Sequence, residues 1–207
     1  MSTMPARAPR TETPVLTALR CATKQRHEAL ERLLDFDSLA DRSRYERILA
    51  GFSCFLAVWE PLVRNALGPR WDAWITEGSR LPLLERDIAV LGVQPVALPA
   101  GLAPALRLRS PEAAWGALYV VEGSALGGQL IARQLFERFG ITAKRGGAFL
   151  AGCGAKTGSR WREFRRLLEV EVGPGSHGQA QACIGAIDTF DGFIRSFEIA
   201  LDEQLPA

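Results

Sequence analysis

Only two histidines occur in this chain of 207 residues, and one of them lies in a pattern that could support chemistry. His27 belongs to the segment LRCATKQRHEALE, in which Arg20, Thr23, His27 and Glu31 follow at intervals of three and four. In a helix this spacing places the four side chains on one stripe, beside an apolar strip of leucines. Such a histidine is either a boundary residue bonded to a neighbour or a metal ligand steadied by a carboxylate one turn away. One histidine cannot complete a zinc site, but it can be the only protein ligand of a haem iron.

The second stretch of interest is 113–139, AAWGALYVVEGSALGGQLIARQLFERF, which has the composition and apolar spacing of a long helix. Gly123, Gly127 and Gly128 lie in its middle, where each glycine costs about 1 kcal/mol relative to alanine. Close packing against a neighbouring helix is one explanation of Gly123 and Gly127, which are four residues apart. The adjacent pair exposes backbone in two directions and favours a kink. The pattern therefore predicts a ligand-facing helix.

Other motifs are weaker. AGCGAKTG lacks the glycine before Lys156 and the preceding strand that a phosphate-binding loop needs. The four cysteines have neither zinc-type nor CxxCH spacing, so we expect reduced, mostly buried thiols: Cys21, Cys54, Cys153 and Cys183. The five tryptophans are expected in the core, and His177 in solvent. Arg162 and Arg166 are four apart and could together meet a pair of carboxylates.

The remaining pattern predicts an all-α protein. The expected helices are Val15–Leu34, Asp41–Leu67, Trp71–Thr76, Leu83–Leu91, the glycine-containing helix, Arg160–Val172 and Gln179–Leu205, the last split at Gly192. Gln94–Leu108 and Gly146–Gly158 are expected to be connections, and only Val93–Leu98 has any strand character. Ser110, Pro111 and Gly140 supply start and stop signals for the glycine-containing helix.

Composition places the chain among globular proteins, with 47% apolar and 23% charged residues and a net charge of +2. This balance gives no general attraction to nucleic acid or to anionic membranes, and no apolar run could span a bilayer. The N-terminus lacks the apolar core of a secretory signal. We expect a flexible tail at 1–14 followed by one cytoplasmic domain at 15–207.

Three segments together resemble one family. LRCATKQRHEALE resembles the proximal helix of haem oxygenases, LYVVEGSALGGQLI their glycine-rich distal helix, and GCGAKTGSRWREF the loop and following helix of the bacterial members. The matches run from the first predicted helix to the penultimate one, in order. The pattern is most similar to bacterial enzymes associated with phytochromes. The resemblance implies a single-domain helical bundle with haem held between a proximal helix and a kinked distal helix.

The resemblance also implies roles for individual residues. His27 would ligate the iron, with Glu31 orienting it, and Gly123, Gly127 and Gly128 would lie over the oxygen-binding side. Haem contacts are implied for Arg20, Thr23, Glu31, Tyr119, Arg162 and Arg166, the three arginines facing the propionates. Ser124 stands where the mammalian members have an aspartate that anchors water, so the proton-delivering group is left open.

The implied reaction cleaves haem with O2 to biliverdin, carbon monoxide and ferrous iron. Electrons would come from a separate ferredoxin, flavodoxin or reductase, and a phytochrome would accept the product. Members that yield other isomers have a lysine where this chain has Asp35, so biliverdin IXα is expected although Arg133 could favour a rotated haem. A haem carrier or sensor without activity, and a thiaminase-like enzyme on the same scaffold, stay open as alternatives.

Overall fold

The computed structural model describes residues 13–36, 41–96 and 100–202, and the secondary structure within those ranges is helical with no strand. The α-helices are α1 (Pro14–Leu34), α2 (Arg42–Leu67), α3 (Asp72–Gly78), α4 (Leu81–Leu91), α5 (Leu102–Ala105), α6 (Pro111–Phe139), α7 (Ala148–Ala151), α8 (Thr157–Val172) and α9 (Ser176–Asp202). Short 3-10 turns precede α3 and α8, at Pro69–Trp71 and Gly154–Lys156. The predicted all-α class is confirmed.

The boundaries of α6 follow from local chemistry. The Ser110 hydroxyl oxygen accepts a hydrogen bond from the Ala113 backbone N–H, and Pro111 occupies the first helical position. Gly140 ends the helix with φ at +64°, a conformation that glycine adopts without strain. The predicted start and stop signals are therefore confirmed, and α6 continues without interruption through its three glycines.

Helix α9 is the central support of the bundle, because α1, α2 and α6 all pack against it. Its Phe193 and Phe197 meet Phe52 of α2 in an aromatic cluster, with Phe52 and Phe197 centroids 4.8 Å apart. The predicted split at Gly192 is wrong, since α9 is continuous there. A Cβ at Gly192 would lie 2.6 Å from the Phe55 ring, so this glycine is needed for packing. The predicted end of this helix at Leu205 lies outside the described residues.

Both predicted connections contain a short helix that the sequence pattern did not indicate, α5 in the first and α7 in the second. Helix α7 is held by a distant side chain: the Asp87 carboxylate, on α4, accepts hydrogen bonds from the backbone N–H groups of Ala148 and Phe149. Burial raises the pKa of Asp87 despite these two bonds, which oppose the shift. No local pattern at 146–158 could have revealed this cap.

A buried ion pair joins α8 to α6. The Arg160 guanidinium donates to both oxygens of Glu122, at 2.7 Å for the shortest contact, and each side chain is only about a tenth exposed. The same guanidinium lies over the Trp74 ring, 3.9 Å from its centroid. Arg160 therefore fixes α8 and α3 to α6 at the turn before Gly123.

Two smaller expectations need correction. The cysteines are free, as expected, but none is fully buried: Cys21 is exposed and the others are partly exposed. Residues 93–96 form no strand, and positions 97 and 98 of the suggested strand lie outside the described residues. The tryptophans do belong to the core, with Trp59 and Trp115 buried and Trp71, Trp74 and Trp161 packed against it.

Candidate functional site

His27 interrupts the buried side of α1. Leu16, Thr23 and Leu34 lie on one line along the helix, at separations of seven and eleven residues, and all three are buried. His27 lies on the same line, between Thr23 and Leu34, yet its side chain is 60% exposed. The histidine is thus aligned with the core-facing residues but open to solvent, as a side chain at the mouth of a binding cleft would be.

The surroundings of His27 orient its ring. Nδ1 lies 3.4 Å from a carboxylate oxygen of Glu31, one turn further along α1. The other neighbour is the buried ring of Phe190 on α9, whose centroid is 5.8 Å from that of the imidazole. The preceding residue, Arg26, donates a 2.7 Å hydrogen bond to Asp191 and so ties α1 to α9 at the same level. Glu31 therefore lies beside His27, and its role in orienting the imidazole stays a prediction.

The three glycines of α6 face different surroundings. A Cβ at Gly123 would make an ordinary contact with the Trp161 ring, at 3.7 Å, whereas one at Gly127 would meet nothing within 4 Å. A Cβ at Gly128 would lie 2.9 Å from the Leu150 carbonyl oxygen of α7, which is too close. Gly128 is therefore a packing residue, and Gly127 is the open position. A continuous helix can still bend, so the predicted kink stays a prediction.

The open side of α6 is apolar. Leu126 and Leu130 flank Gly127 and are 43% and 65% exposed, unusual values for leucines in a helix whose other side is buried. Both α1 and α6 pack against α8 and α9, so the two helices share the same supporting helices. An exposed apolar surface of this kind suits a flat, largely apolar ligand.

The predicted basic positions differ in their surroundings. Arg20 is exposed on α1, and Arg162 and Arg166 are exposed on α8. Within the described part of the chain, Arg162 and Arg166 make no ion pair. These two guanidinium groups are accordingly available to acidic groups of a ligand.

Thr23 and Tyr119, the other two residues predicted to contact haem, are less exposed to solvent. The buried Thr23 hydroxyl donates to the Leu19 carbonyl oxygen, 2.8 Å away, so it has a partner inside α1. The Tyr119 ring is partly buried and packs against Trp161 of α8, with centroids 6.1 Å apart. Whether either residue touches a ligand stays a prediction.

Ser124 has a partner that sequence reasoning missed. Arg80, just before α4, is buried and donates hydrogen bonds to the Ser124 hydroxyl oxygen at 2.8 Å and to the Val121 carbonyl oxygen at 2.7 Å. Nothing in the sequence around Arg80 marks it, because its partners lie more than forty residues away on another helix.

No group of three or more His, Cys, Asp or Glu side chains in the described ranges could hold a bare metal ion. A metal at His27 would therefore have to bring its other ligands with it, as the iron of a haem does. None of the helices formed by those residues is both long and apolar enough to cross a membrane.

Comparison with known proteins decides the family. Residues 13–199 match the family model described as heme oxygenase. The chain belongs to the haem oxygenase family. A curated haem oxygenase of Xanthomonas campestris is 35% identical over 161 residues, covering 77% of this chain and 88% of that protein.

Two solved haem oxygenases share the fold. The structure of haem oxygenase 2 from Chlamydomonas reinhardtii without haem superposes with a TM-score of 0.70 at 20% identity, covering 94% of this chain and 100% of that one. The NO- and CO-bound haem oxygenase of Neisseria meningitidis gives a TM-score of 0.68, also at 20% identity, covering 93% and 96%. At this identity the likeness shows the haem oxygenase fold and not the roles of residues. The family match nevertheless includes α1, α6 and α8, the helices that carry the candidate residues.

Proposed function

We propose that this protein binds haem between α1 and α6 and cleaves it oxidatively to biliverdin, carbon monoxide and ferrous iron. The observation that carries the proposal is the exposure of His27 on an otherwise buried line of α1. A structural histidine on that line would be expected to be buried with a hydrogen-bonding partner from the core. An exposed imidazole backed by an aromatic ring and a carboxylate is suited to ligating an iron that arrives with its substrate.

Helix α6 suits the oxygen-binding side of the substrate. Gly127 leaves the backbone of α6 uncovered, so no side chain occupies the space a small iron-bound molecule would need. Leu126 and Leu130 provide apolar surface next to it, which favours the porphyrin ring and excludes bulk water. We assign Gly127 to the reaction and Gly128 to positioning α6 against α7.

The basic residues suit the substrate's carboxylates. Arg162 and Arg166 are one turn apart on α8 and can each pair with a propionate, while Arg20 lies on α1. Such charge-assisted pairs fix the rotation of the haem in its own plane. The rotation in turn decides which meso carbon faces the bound oxygen, and we propose the α carbon.

The reaction needs O2 and reducing equivalents. We propose that a separate ferredoxin, flavodoxin or reductase delivers the electrons, and that a phytochrome receives the biliverdin. The family match disfavours the thiaminase-like alternative. A haem carrier without activity differs from this proposal only in turnover, so turnover is what must be measured.

The decisive experiment starts with an anaerobic titration of the purified protein with ferric haem. Saturation near one haem per chain with a histidine-ligated spectrum is expected. Addition of air and ascorbate should then convert the haem spectrum to that of biliverdin and release carbon monoxide. A stable haem complex that yields neither product would identify a carrier and overturn the proposed activity.

A further inference from the structure

A cavity of about 280 Å³ opens between the C-terminal part of α6, helix α7 and the turn that connects them. Most of its lining is apolar, including Ala132, Leu135, Phe136, Ile141 and Ala151. Phe136 is 58% exposed, which is unusual for so large an apolar side chain. Water in an apolar cavity finds few hydrogen-bonding partners, so an apolar ligand that displaced it would be favoured.

The cavity and the exposed backbone at Gly127 lie on different sides of α6. Ala132 and Phe136 follow Gly127 by five and nine residues, which places them about 140° and 180° around the helix from it. A ligand in the cavity would therefore be held apart from haem bound over Gly127. Its binding does not depend on the proposed reaction.

Small residues and a closed turn create this space. Ala132 and Ala151 each place only a methyl group in it, and both are partly exposed. The Thr142 carbonyl oxygen accepts hydrogen bonds from the backbone N–H groups of Arg145 and Gly147, at 2.8 and 3.0 Å. These two bonds fix the turn, so one side of the cavity is formed before any ligand arrives.

Helix α7, which supplies Ala151, is anchored from the protein interior. The Asp87 carboxylate accepts hydrogen bonds from the N–H groups of Ala148 and Phe149, at 3.0 and 2.7 Å. The Phe149 ring packs against Phe52 of α2, with centroids 4.7 Å apart. A cavity between fixed elements binds a ligand without the cost of ordering the protein.

The chain around the cavity is basic. Residues 132–151 contain one carboxylate, Glu137, and four cations: Arg133, Arg138, Lys144 and Arg145. Arg86 of α4 adds a fifth cation, because its guanidinium donates a 2.9 Å hydrogen bond to the Ala143 carbonyl oxygen in the turn. Glu137 pairs with Arg133 on an exposed surface, where such a pair is weak. An anionic group at the border of the cavity is therefore favoured.

The volume limits the size of the ligand. A water molecule occupies about 30 Å³ in the liquid, so a cavity of about 280 Å³ holds roughly nine non-hydrogen atoms. A tetrapyrrole is several times larger than this. We propose that the cavity binds a small monocarboxylic acid, with an apolar tail of about seven carbons inside and the carboxylate at the basic border beside Arg133.

The test is a titration of the haem-free, full-length protein with octanoate, followed by the amide NMR shifts. The parent should bind about one octanoate per chain and approach saturation below about 10 mM. Butyrate should bind at least about tenfold more weakly, because each buried methylene is worth about fourfold in affinity. Octan-1-ol, which has the same length but no charge, should bind at least about fivefold more weakly at low salt.

Two variants that fill the cavity locate the probe. Ala132→Leu and Ala151→Leu each place a larger side chain in the cavity from a helical position and should weaken octanoate binding at least about tenfold. Ala180→Leu, an exposed change on α9, is the matched control and should bind as the parent does. Leu130→Ala, on the exposed apolar surface of α6, should also match the parent.

A surface variant tests the charge without altering the apolar lining. Arg133→Gln combined with Lys144→Gln should weaken octanoate binding about fivefold and leave octan-1-ol binding unchanged. Arg32→Gln combined with Lys24→Gln removes the same two charge types from exposed positions of α1 and should have no effect on either probe.

Each contrary result overturns a stated part of the proposal. A parent that does not saturate with octanoate overturns the site, whatever the protein does with haem. Equal binding in Ala132→Leu, Ala151→Leu and the parent places the probe elsewhere and also overturns it. Equal affinity for octan-1-ol and octanoate overturns the anionic class of the ligand. Shifts confined to residues 132–151 and to α4 are the expected result.

Discussion

The imidazole of His27 stands nearly edge-on to the ring of Phe190, with centroids 5.8 Å apart and planes inclined by 69°. Phe190 is 4% exposed and belongs to α9, so the orientation of the histidine is set by a helix of the core and not by α1 alone. This contact has a measurable consequence for ligand binding.

Phe190→Leu should weaken haem binding by about two- to tenfold, the equivalent of one lost aromatic pair. Haem titration by absorbance measures the effect. Phe197→Leu is the matched control, because Phe197 is a buried phenylalanine of the same helix in a cluster with Phe52 and Phe193. Equal losses in the two variants would mean that only the packing of α9 matters.

His27→Ala should abolish the histidine-ligated ferric spectrum, because the imidazole is the expected iron ligand. His177→Ala should not, since His177 is exposed in the first turn of α9. Electronic and electron paramagnetic resonance spectra of the two haem complexes report the ligand directly. An unchanged spectrum in His27→Ala would assign ligation elsewhere.

Alanine at Gly127 and at Gly128 should have opposite effects on stability. Gly127→Ala meets open space and should raise the free energy of unfolding by up to about 1 kcal/mol through helix propensity. Gly128→Ala drives a methyl group into the Leu150 carbonyl and should lower it by about 1–3 kcal/mol. Urea unfolding of the haem-free proteins measures both.

Gly127→Leu should suppress ring cleavage far more than haem affinity, because its side chain would fill the space over the iron. The readouts are the haem dissociation constant and the rate of biliverdin formation. Leu126→Ala, one residue earlier on the exposed side, is the control that changes the apolar surface without filling that space. If Gly127→Leu formed biliverdin at the rate of the parent, Gly127 would have no role in ring cleavage.

The product should be mainly biliverdin IXα. Arg133, which could favour a rotated haem, donates a 2.9 Å hydrogen bond to Glu137 on the surface of α6, so it has a carboxylate partner on its own helix. Asp35, at the C-terminal end of α1, carries a negative charge that would repel any propionate brought near it. Chromatography against the four isomers decides the point, and Arg162→Ala together with Arg166→Ala should broaden the mixture. A β or δ majority in the parent would contradict the assignment of the arginines.

The long helices were predictable because their signals are local. Ser110, Pro111 and Gly140 fix α6 without reference to any other part of the chain. Helix α7 was not predictable, because the side chain that caps it, Asp87, lies 61 residues earlier in the chain. The split predicted at Gly192 was wrong because the reason for this glycine is also distant in sequence. It is required by the Phe55 ring that packs against it, and it does not break the helix.

The candidate site likewise has features that the sequence predicts locally and features that depend on the fold. The pairing of His27 with Glu31 follows from a spacing of four residues, so sequence sufficed. The sequence could not say which of Gly127 and Gly128 is open, because that depends on where α7 lies. The contact of Arg80 with Ser124 could not be predicted, because it depends entirely on the fold that brings the two residues together.

Because α1 and α6 both pack against α9, residues in those contacts set how far apart the two helices lie. At Gly116 and Gly185 the backbones of α6 and α9 approach so closely that a Cβ at either glycine would collide with the other helix, at Ala182 and Ala113 respectively. Any larger residue there would lift α6 from α9 while α1 stayed anchored by Arg26 and Asp191. In the proposed haem complex, Gly116 and Gly185 would thus set the thickness of the substrate that fits between α1 and α6.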